Sequence, residues 1–397
     1  MSVGRWTERQ TANSGVVRKM FEEGRKLRAE FGDDQVFDLS LGQPLDEPPA
    51  AVRAALQKVA AMRGRARFGY LPSLGLPLAR ERAAADVDDA RITAECVCIT
   101  AGAGGALMVA IRTFVDQGDE VLAITPFFGE YSLYVEAIGA TFVPVTSDDS
   151  GGVDAEAVAA ALTPRTRAII LNTPNNPSGH IITSTELDNL AAVLRAHEAA
   201  TGRQVIVLVD EVYHKLCYDG AAAPNALAAY DGTVLARSYS KDFGIAGERI
   251  GFLALHPSLA TPDTMAGLGT CQRALGFVHA SSTMQHMLAE LDDWTVDLPL
   301  HQRRRDHAVA CATAAALELV PPMGGLYLWV RSPWPDTQMF VDALKARRVL
   351  TVPGAAFGLS THIRMCFTAP ESAVTQALAI AGAVAQRVPA DVATPAN

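Results

Sequence analysis

Basic residues are the minority charge in this chain: 34 Lys and Arg stand against 43 Asp and Glu, a formal net charge of −9. That balance supplies no basic stripe of the kind a nucleic-acid interface needs, which argues against DNA or RNA as a partner. Long apolar runs are missing too. Stretches such as Ala377 to Ala385 fall well short of the roughly 18 residues of a membrane span, so no membrane segment is expected. The stretch from Met1 to Gln10 has no apolar signal core, and a cytoplasmic rather than an exported protein is expected. Cysteines are few and scattered, at 96, 98, 217, 271, 311 and 366, with no CxxC and no Cys/His cluster to suggest a metal. Reduced, mostly buried thiols are the expectation, with Cys96 and Cys98 sharing one face of a strand-like run.

What is present is apolar bulk. Hydrophobic residues make up 49% of 397 residues, enough to offset the entropy of ordering a large core and to fill two or three structural units. Short β-branched runs at Val97–Thr100, Val121–Ile124, Thr141–Val145, Ala168–Asn172, Val205–Asp210, Val234–Ser238 and Ile250–Leu255 read as seven strands. Helical stretches at Gly105–Val115, Glu130–Ile138, Asp154–Leu162 and Glu186–Ala199 lie between the earlier ones. Continuously apolar strands separated by helices predict an α/β fold whose mostly parallel sheet is covered on both faces. Such a sheet binds its ligand beyond the carboxyl ends of its strands. The carboxyl-terminal part reads as a smaller α+β unit: strands at 326–330 and Arg364–Phe367, helices at Gln338–Arg347 and Glu371–Gln386, and a frayed tail after Arg387. The division expected is a large domain over 45–294 and a small one built from 1–44 plus 295–397.

The residues that carry chemistry follow the strand ends. Ser238-Tyr239-Ser240-Lys241 puts a lysine just past a buried strand, where desolvation lowers its pKa toward that of a Schiff-base amine. Arg249, eight residues on, and Ser238 can meet one anion. Read alone, S-x-S-K does not separate such a lysine from a surface one. Asp210 ends an apolar strand, where a carboxylate is costly to bury unless a cation such as a protonated ring nitrogen meets it. Tyr213, three residues later, can reach another edge of the same ring. The plainer reading of Asp210 is a cap for a following helix. Asn176 sits in the stiff turn Asn172-Thr173-Pro174-Asn175-Asn176-Pro177-Ser178-Gly179, which holds a side chain at a strand end or is simply a tight turn. The small-residue run Thr100-Ala101-Gly102-Ala103-Gly104-Gly105 opens a helix, where backbone N–H groups cradle phosphate, though small residues also permit close packing.

In this order and context Lys241, Asp210, Asn176 and Arg249 resemble the fold-type I pyridoxal-phosphate (PLP) enzymes, and the chain is similar to the class I/II aminotransferases of the aspartate aminotransferase-like kind. The resemblance runs from about Ser14 (Ser-Gly-Val-Val-Arg-Lys-Met-Phe-Glu-Glu-Gly) through Val36–Pro44 (Val-Phe-Asp-Leu-Ser-Leu-Gly-Gln-Pro) to Arg364 in Ile-Arg-Met-Cys-Phe, nearly the whole chain. It implies the aspartate aminotransferase fold and pyridoxal 5'-phosphate as cofactor. Lys241 would carry the internal aldimine and shuttle the proton, and Asp210 would pair with the pyridine nitrogen. Tyr213 and Asn176 would bond the phenolic oxygen, and Phe128 would stack on the ring. Ser238, Arg249 and the N–H groups of Ala103 and Gly104 would hold the phosphate. Arg364 would clamp the substrate α-carboxylate, with Asn176 beside it, and Gly42 would let backbone approach that carboxylate. Tyr70, in Phe-Gly-Tyr-Leu-Pro-Ser-Leu-Gly, would reach the phosphate of the other subunit, so that a homodimer builds each site.

The implied reaction is transfer of an amino group from an L-α-amino acid to a 2-oxo acid through a quinonoid intermediate. The same machinery also serves β/γ-elimination, replacement or ring formation in relatives, with S-adenosylmethionine as one substrate, and this lyase-type chemistry is the alternative. A regulator using the same domain would carry an added DNA-binding segment, and only about 40 residues precede the first motif. The small-residue loop departs from dicarboxylate-specific relatives, which place a lysine where Gly104 stands, and this puts aspartate or glutamate specificity in doubt. Arg273 and His279, within 271–287, are candidate substrate contacts at the entrance. Phe127, Glu130 and Tyr131 cluster near Phe128 without an assigned role.

Overall fold

Seven strands pair in the order β1-β7-β6-β5-β4-β2-β3: β1 (Val97–Thr100), β2 (Glu120–Ile124), β3 (Thr141–Val145), β4 (Thr166–Asn172), β5 (Ile206–Asp210), β6 (Thr233–Ser238) and β7 (Gly251–Leu255). The computed structural model describes residues 3–13, 16–42, 44 and 46–387. Ser14 and Gly15 at the start of the resemblance, Gln43, the boundary residue Leu45 and the tail 388–397 lie outside the described residues. Pairing is parallel throughout β2 to β6, while β7 runs antiparallel to both β6 and β1. The sheet is therefore mixed but mostly parallel.

The central stretches of the strands are apolar because both faces of the sheet are covered. Val97, Ile99, Leu122, Ile124, Ile169, Leu171, Val207 and Val209 pack with the helices Ala50–Ala61, Ser184–Thr201 and Ser282–Glu290. The intervening Cys98, Val121, Ala123, Ala168, Ile170, Ile206 and Leu208 pack on the other side with Gly102–Phe114, Glu130–Ala137 and Pro262–Ala274. Each fully buried aliphatic side chain contributes about 2 kcal/mol of transfer free energy. Cys96 and Cys98 do not share a face, contrary to expectation: Cys96 packs in the first group and Cys98 in the second. Cys96 ends the 3₁₀ turn Ala94–Cys96, so strand alternation begins only after it. All six thiols are free, and those of Cys96, Cys98, Cys217 and Cys366 are buried.

The register places the chemistry. Asn172 pairs with Asp210 and Asp210 with Ala236, while Ser238 and Thr100 both pair with Gly251. The ends of β1, β4, β5 and β6 thus lie along one edge of the sheet. A second apolar core gathers Leu39, Tyr213, Tyr218, Leu328, Phe340, Ile363 and Leu378. It surrounds an antiparallel sheet of β8 (Tyr327–Arg331), β9 (Val352–Pro353) and β10 (His362–Cys366), with helix Glu371–Ala385. Phe37–Asp38 pairs in parallel with Val349–Leu350, tying the early chain to this core. Among the described residues no helix is long and apolar enough to cross a membrane.

Candidate active site

One cavity of about 280 Å³ at that edge is lined by Gly42, Ala103, Gly104, Phe128, Asn176, Asp210, Tyr213, Ser238, Lys241, Arg249 and Arg364. Of the residues singled out as cofactor or substrate contacts, Tyr70, Arg273 and His279 stand apart from it. Tyr70 is 89% exposed, with its ring edge-on to His279 at 6.0 Å. Arg273 bonds to Ser73 Oγ at 3.3 Å and to Thr270, and His279 meets its neighbour's carbonyl; neither lines the cavity.

Lys241 follows β6 and crosses to the early chain, where its Nζ donates to the Gly42 carbonyl at 2.5 Å. Desolvation pulls its amine down to about 8, helped by the positive charges of Arg364 and Arg249 and opposed by Cys366 and Asp210. Asp210 ends β5 and is buried. Its Oδ2 accepts from the Tyr131 hydroxyl at 2.7 Å, while its buried Oδ1 has no hydrogen-bond partner among the described residues. Burial pushes this carboxyl up to about 6, against the Tyr131 bond, which favours the anion. No helix follows for Asp210 to cap, since residues 212–215 form turns. An unpaired carboxylate oxygen at this depth is costly and calls for a cationic or N–H donor in the cavity.

Asn172 organises the neighbouring turn: its Nδ2 donates to the Asp210 carbonyl at 2.8 Å and its Oδ1 accepts from the Asn176 N–H at 2.6 Å. Asn176 Oδ1 then accepts from Arg364 Nη1 at 3.0 Å. Arg364, buried on β10, also donates from Nη2 to the Ser40 carbonyl at 2.7 Å, and its Nε has no partner among the described residues. Its guanidinium lies 4.2 Å from the centre of the Tyr327 ring and 4.8 Å from that of Phe357, so aromatic faces offset part of its desolvation.

Glycine is required at two points. Gly102 has φ +74°, and a Cβ there would come within 2.6 Å of the Arg249 guanidinium, so Arg249 packs directly on the first turn of the helix Gly102–Phe114. Arg249 also donates to the Ala246 carbonyl at 2.8 Å. A Cβ on Gly42 would lie 1.6 Å from the Tyr327 hydroxyl. The helix begins at Gly102, not Gly105, so the small-residue loop is itself a helical first turn with N–H groups free to point at an anion.

Three tyrosines complete the site: Tyr131, marked in the sequence without a role, and Tyr134 and Tyr327, which the sequence did not mark. Tyr131 anchors Asp210. Tyr134 lines the cavity, its hydroxyl pushed up to about 12 by burial and by Glu130 and Asp210. Tyr327 also lines it and lies 3.0 Å, oxygen to oxygen, from Tyr213, whose hydroxyl burial raises well above its ordinary range. Spacing offers a faint signal for Tyr131, one turn beyond Phe128, and none for Tyr327, which arrives from β8.

The arrangement combines a depressed amine, a carboxylate awaiting a donor, a helix-terminal anion cradle and a buried arginine with a free N–H. The family model for aminotransferases of class I and II matches residues 34–380. The chain is 30% identical over 360 residues to the aspartate/prephenate aminotransferase of Thermus thermophilus, covering 86% of this chain and 88% of that one. It is 32% identical over 354 residues to the arginine–pyruvate transaminase of Pseudomonas aeruginosa, covering 85% and 86%. Among solved structures, an aminotransferase from Eubacterium rectale superposes with a TM-score of 0.90 at 27% identity, over 97% of this chain and 99% of that one. Thermus thermophilus aspartate aminotransferase shares the fold with a TM-score of 0.85 at 24% identity, over 97% and 100%. A model match across most of the chain and relatives at this identity place the protein in the class I and II aminotransferase family, as a transferase with the aspartate aminotransferase fold.

Proposed function

We propose that the protein is a pyridoxal 5'-phosphate-dependent aminotransferase that passes an amino group from an L-α-amino acid to a 2-oxo acid. The observation that carries this reading is the buried, unpartnered Oδ1 of Asp210 in the same cavity as a lysine whose amine is drawn down to about 8. When bound, the cofactor supplies an aldehyde that condenses with amines and a ring that withdraws electrons from the substrate Cα.

The chain's own residues do the rest. Asp210, held by Tyr131, would keep a proton on the ring nitrogen. Phe128, Tyr213 and Asn176 would hold the rest of the ring. Ser238, Arg249 and the N–H groups of Ala103 and Gly104 bind phosphate at the helix start. Arg364 binds the α-carboxylate, with Gly42 leaving room, and so fixes the direction of the Cα–H bond. Lys241, neutral for part of the time near pH 8, takes and returns the proton at Cα. Tyr70, exposed in the single chain, fits a role in the site of a second copy, making the enzyme a homodimer. A division into 45–294 and 1–44 plus 295–397 follows the two cores except at Tyr213, Leu216 and Tyr218, which pack with the second. Aspartate/prephenate and arginine–pyruvate aminotransferases among the relatives support amino-acid substrates.

The test is a product screen of the cofactor-loaded protein with single amino acids, and separately with S-adenosylmethionine. Release of the matching 2-oxo acid, lost in Lys241→Ala, is expected. Release of ammonia or of a thioether instead would replace transamination by elimination or ring formation.

A further inference from the structure

Beside the Lys241 cavity lies a larger one, of about 950 Å³. Shared walls tie the two together. Phe128 lines both. Phe357 lines the larger and packs on the Arg364 guanidinium. Glu130, on the larger, stands one turn before Tyr134, on the smaller, close enough for its charge to raise the Tyr134 hydroxyl.

The charges in the larger cavity are unequal. Glu136 accepts from the Gln10 amide at 2.5 Å. Arg9 sits at the exposed rim. Glu130 is partly buried and makes no hydrogen bond or ion pair with another described residue, and burial alone raises its carboxyl. The walls beside it are the rings of Phe127, Phe128 and Phe357. Across the shared wall Gly104 offers no cation, and a Cβ there would already lie 2.9 Å from the Tyr134 hydroxyl.

We propose that this cavity receives the substrate side chain and that Glu130 selects an α-amino acid whose methylene stem ends in an ammonium or guanidinium. The inference rests on the aminotransferase reading, with the α-carboxylate at Arg364. A methylene stem packs on the phenylalanine rings, and its cation meets the free carboxylate. A neutral side chain leaves that carboxylate unpaired, and an acidic one adds a like charge to two glutamates.

The test compares binding and turnover. Calorimetry on the cofactor-loaded protein uses α-methyl-L-ornithine and α-methyl-L-norvaline, which lack the Cα hydrogen and bind without giving it up. Turnover compares L-ornithine and L-arginine with L-norvaline and L-glutamate. The cationic member of each pair is expected to win by roughly tenfold, the scale of a charge-assisted hydrogen bond in a part-exposed site. Glu130→Gln should bring the cation-to-neutral ratio close to one, and Glu130→Lys should turn preference toward glutamate. An unchanged ratio in Glu130→Gln overturns the inference, as does a wild-type preference for glutamate, which would point to Arg9. In both cases the neutral probe still binds and amino acids still react, so the aminotransferase reading stands. If no probe binds and no amino acid reacts, both fall together.

Discussion

Burial strips a charged group of its hydration, and Lys241 and Asp210 both bear that cost. Lys241 is held near 8 instead of 10.5, so the folded protein favours the neutral amine. The cost to folding is full below pH 8 and fades as pH rises toward 10.5. In cofactor-free protein, the rate of Lys241 acylation, followed by mass spectrometry, should have its midpoint near pH 8. A midpoint near 10.5 would mean that the amine is hydrated and not placed as described. Asp210 is raised from 3.8 to about 6, so here the folded state favours the protonated acid. Its cost appears as pH rises through that window and is complete above it. A shift of about two units corresponds to about 3 kcal/mol. Asp210→Asn should therefore raise the melting temperature of cofactor-free protein at pH 7, lose the gain near pH 4, and abolish transamination. Equal melting temperatures at pH 7 would show that Oδ1 is already satisfied. Lys241 and Asp210 drew notice because ionisable residues at the ends of apolar runs are conspicuous, whereas Arg364 was marked only by the family resemblance. The role of Tyr131 was not legible, since its partner Asp210 lies 79 residues away.

Elements were legible where periodicity was strong. β1, buried at every residue, matches its expected bounds, and so does β3, although β3 is buried only at Val145. Helix Leu298–Ala314 went unread because its buried face is His301, Arg305, Ala308 and Ala312, not an apolar stripe, with Arg305 satisfied by Asp219 at 2.6 Å. Helix Ser184–Thr201 begins earlier than the expected Glu186 because Thr183 and Glu186 form a reciprocal cap. Glu186 also accepts from the Val153 N–H at 2.7 Å and pairs with His180 at 3.2 Å, and its carboxyl is pulled down to about 2. Thr183→Ala should cost about 1 kcal/mol in urea unfolding, with kcat/KM unaltered. A change in kcat/KM without loss of stability would tie this cap to the site instead.

At the scale of the molecule, the site exists where two cores meet. Lys241 reaches Gly42, and Arg364 binds Asn176. Each contact joins parts of the chain more than a hundred residues apart, so relative movement of the cores would open the site. The proposed second subunit adds Tyr70. Mixing Lys241→Ala with Tyr70→Ala, each inactive or nearly so, should restore about a quarter of wild-type activity, because one site of each mixed dimer is then complete. No recovery, with mixed dimers confirmed by mass, would confine Tyr70 to its own subunit.

From residue order alone came the alternation of strands and helices, the sheet covered on both faces, and a lysine and an aspartate placed at strand ends. These are local facts, written in periodicity and in the rarity of charge beside apolar runs. Only the folded chain decided which tyrosine holds Asp210, why Gly42 has no side chain, and which carboxylate beside Phe128 is left without a partner. Those depend on contacts between distant segments, and distance along a sequence carries no record of distance in space.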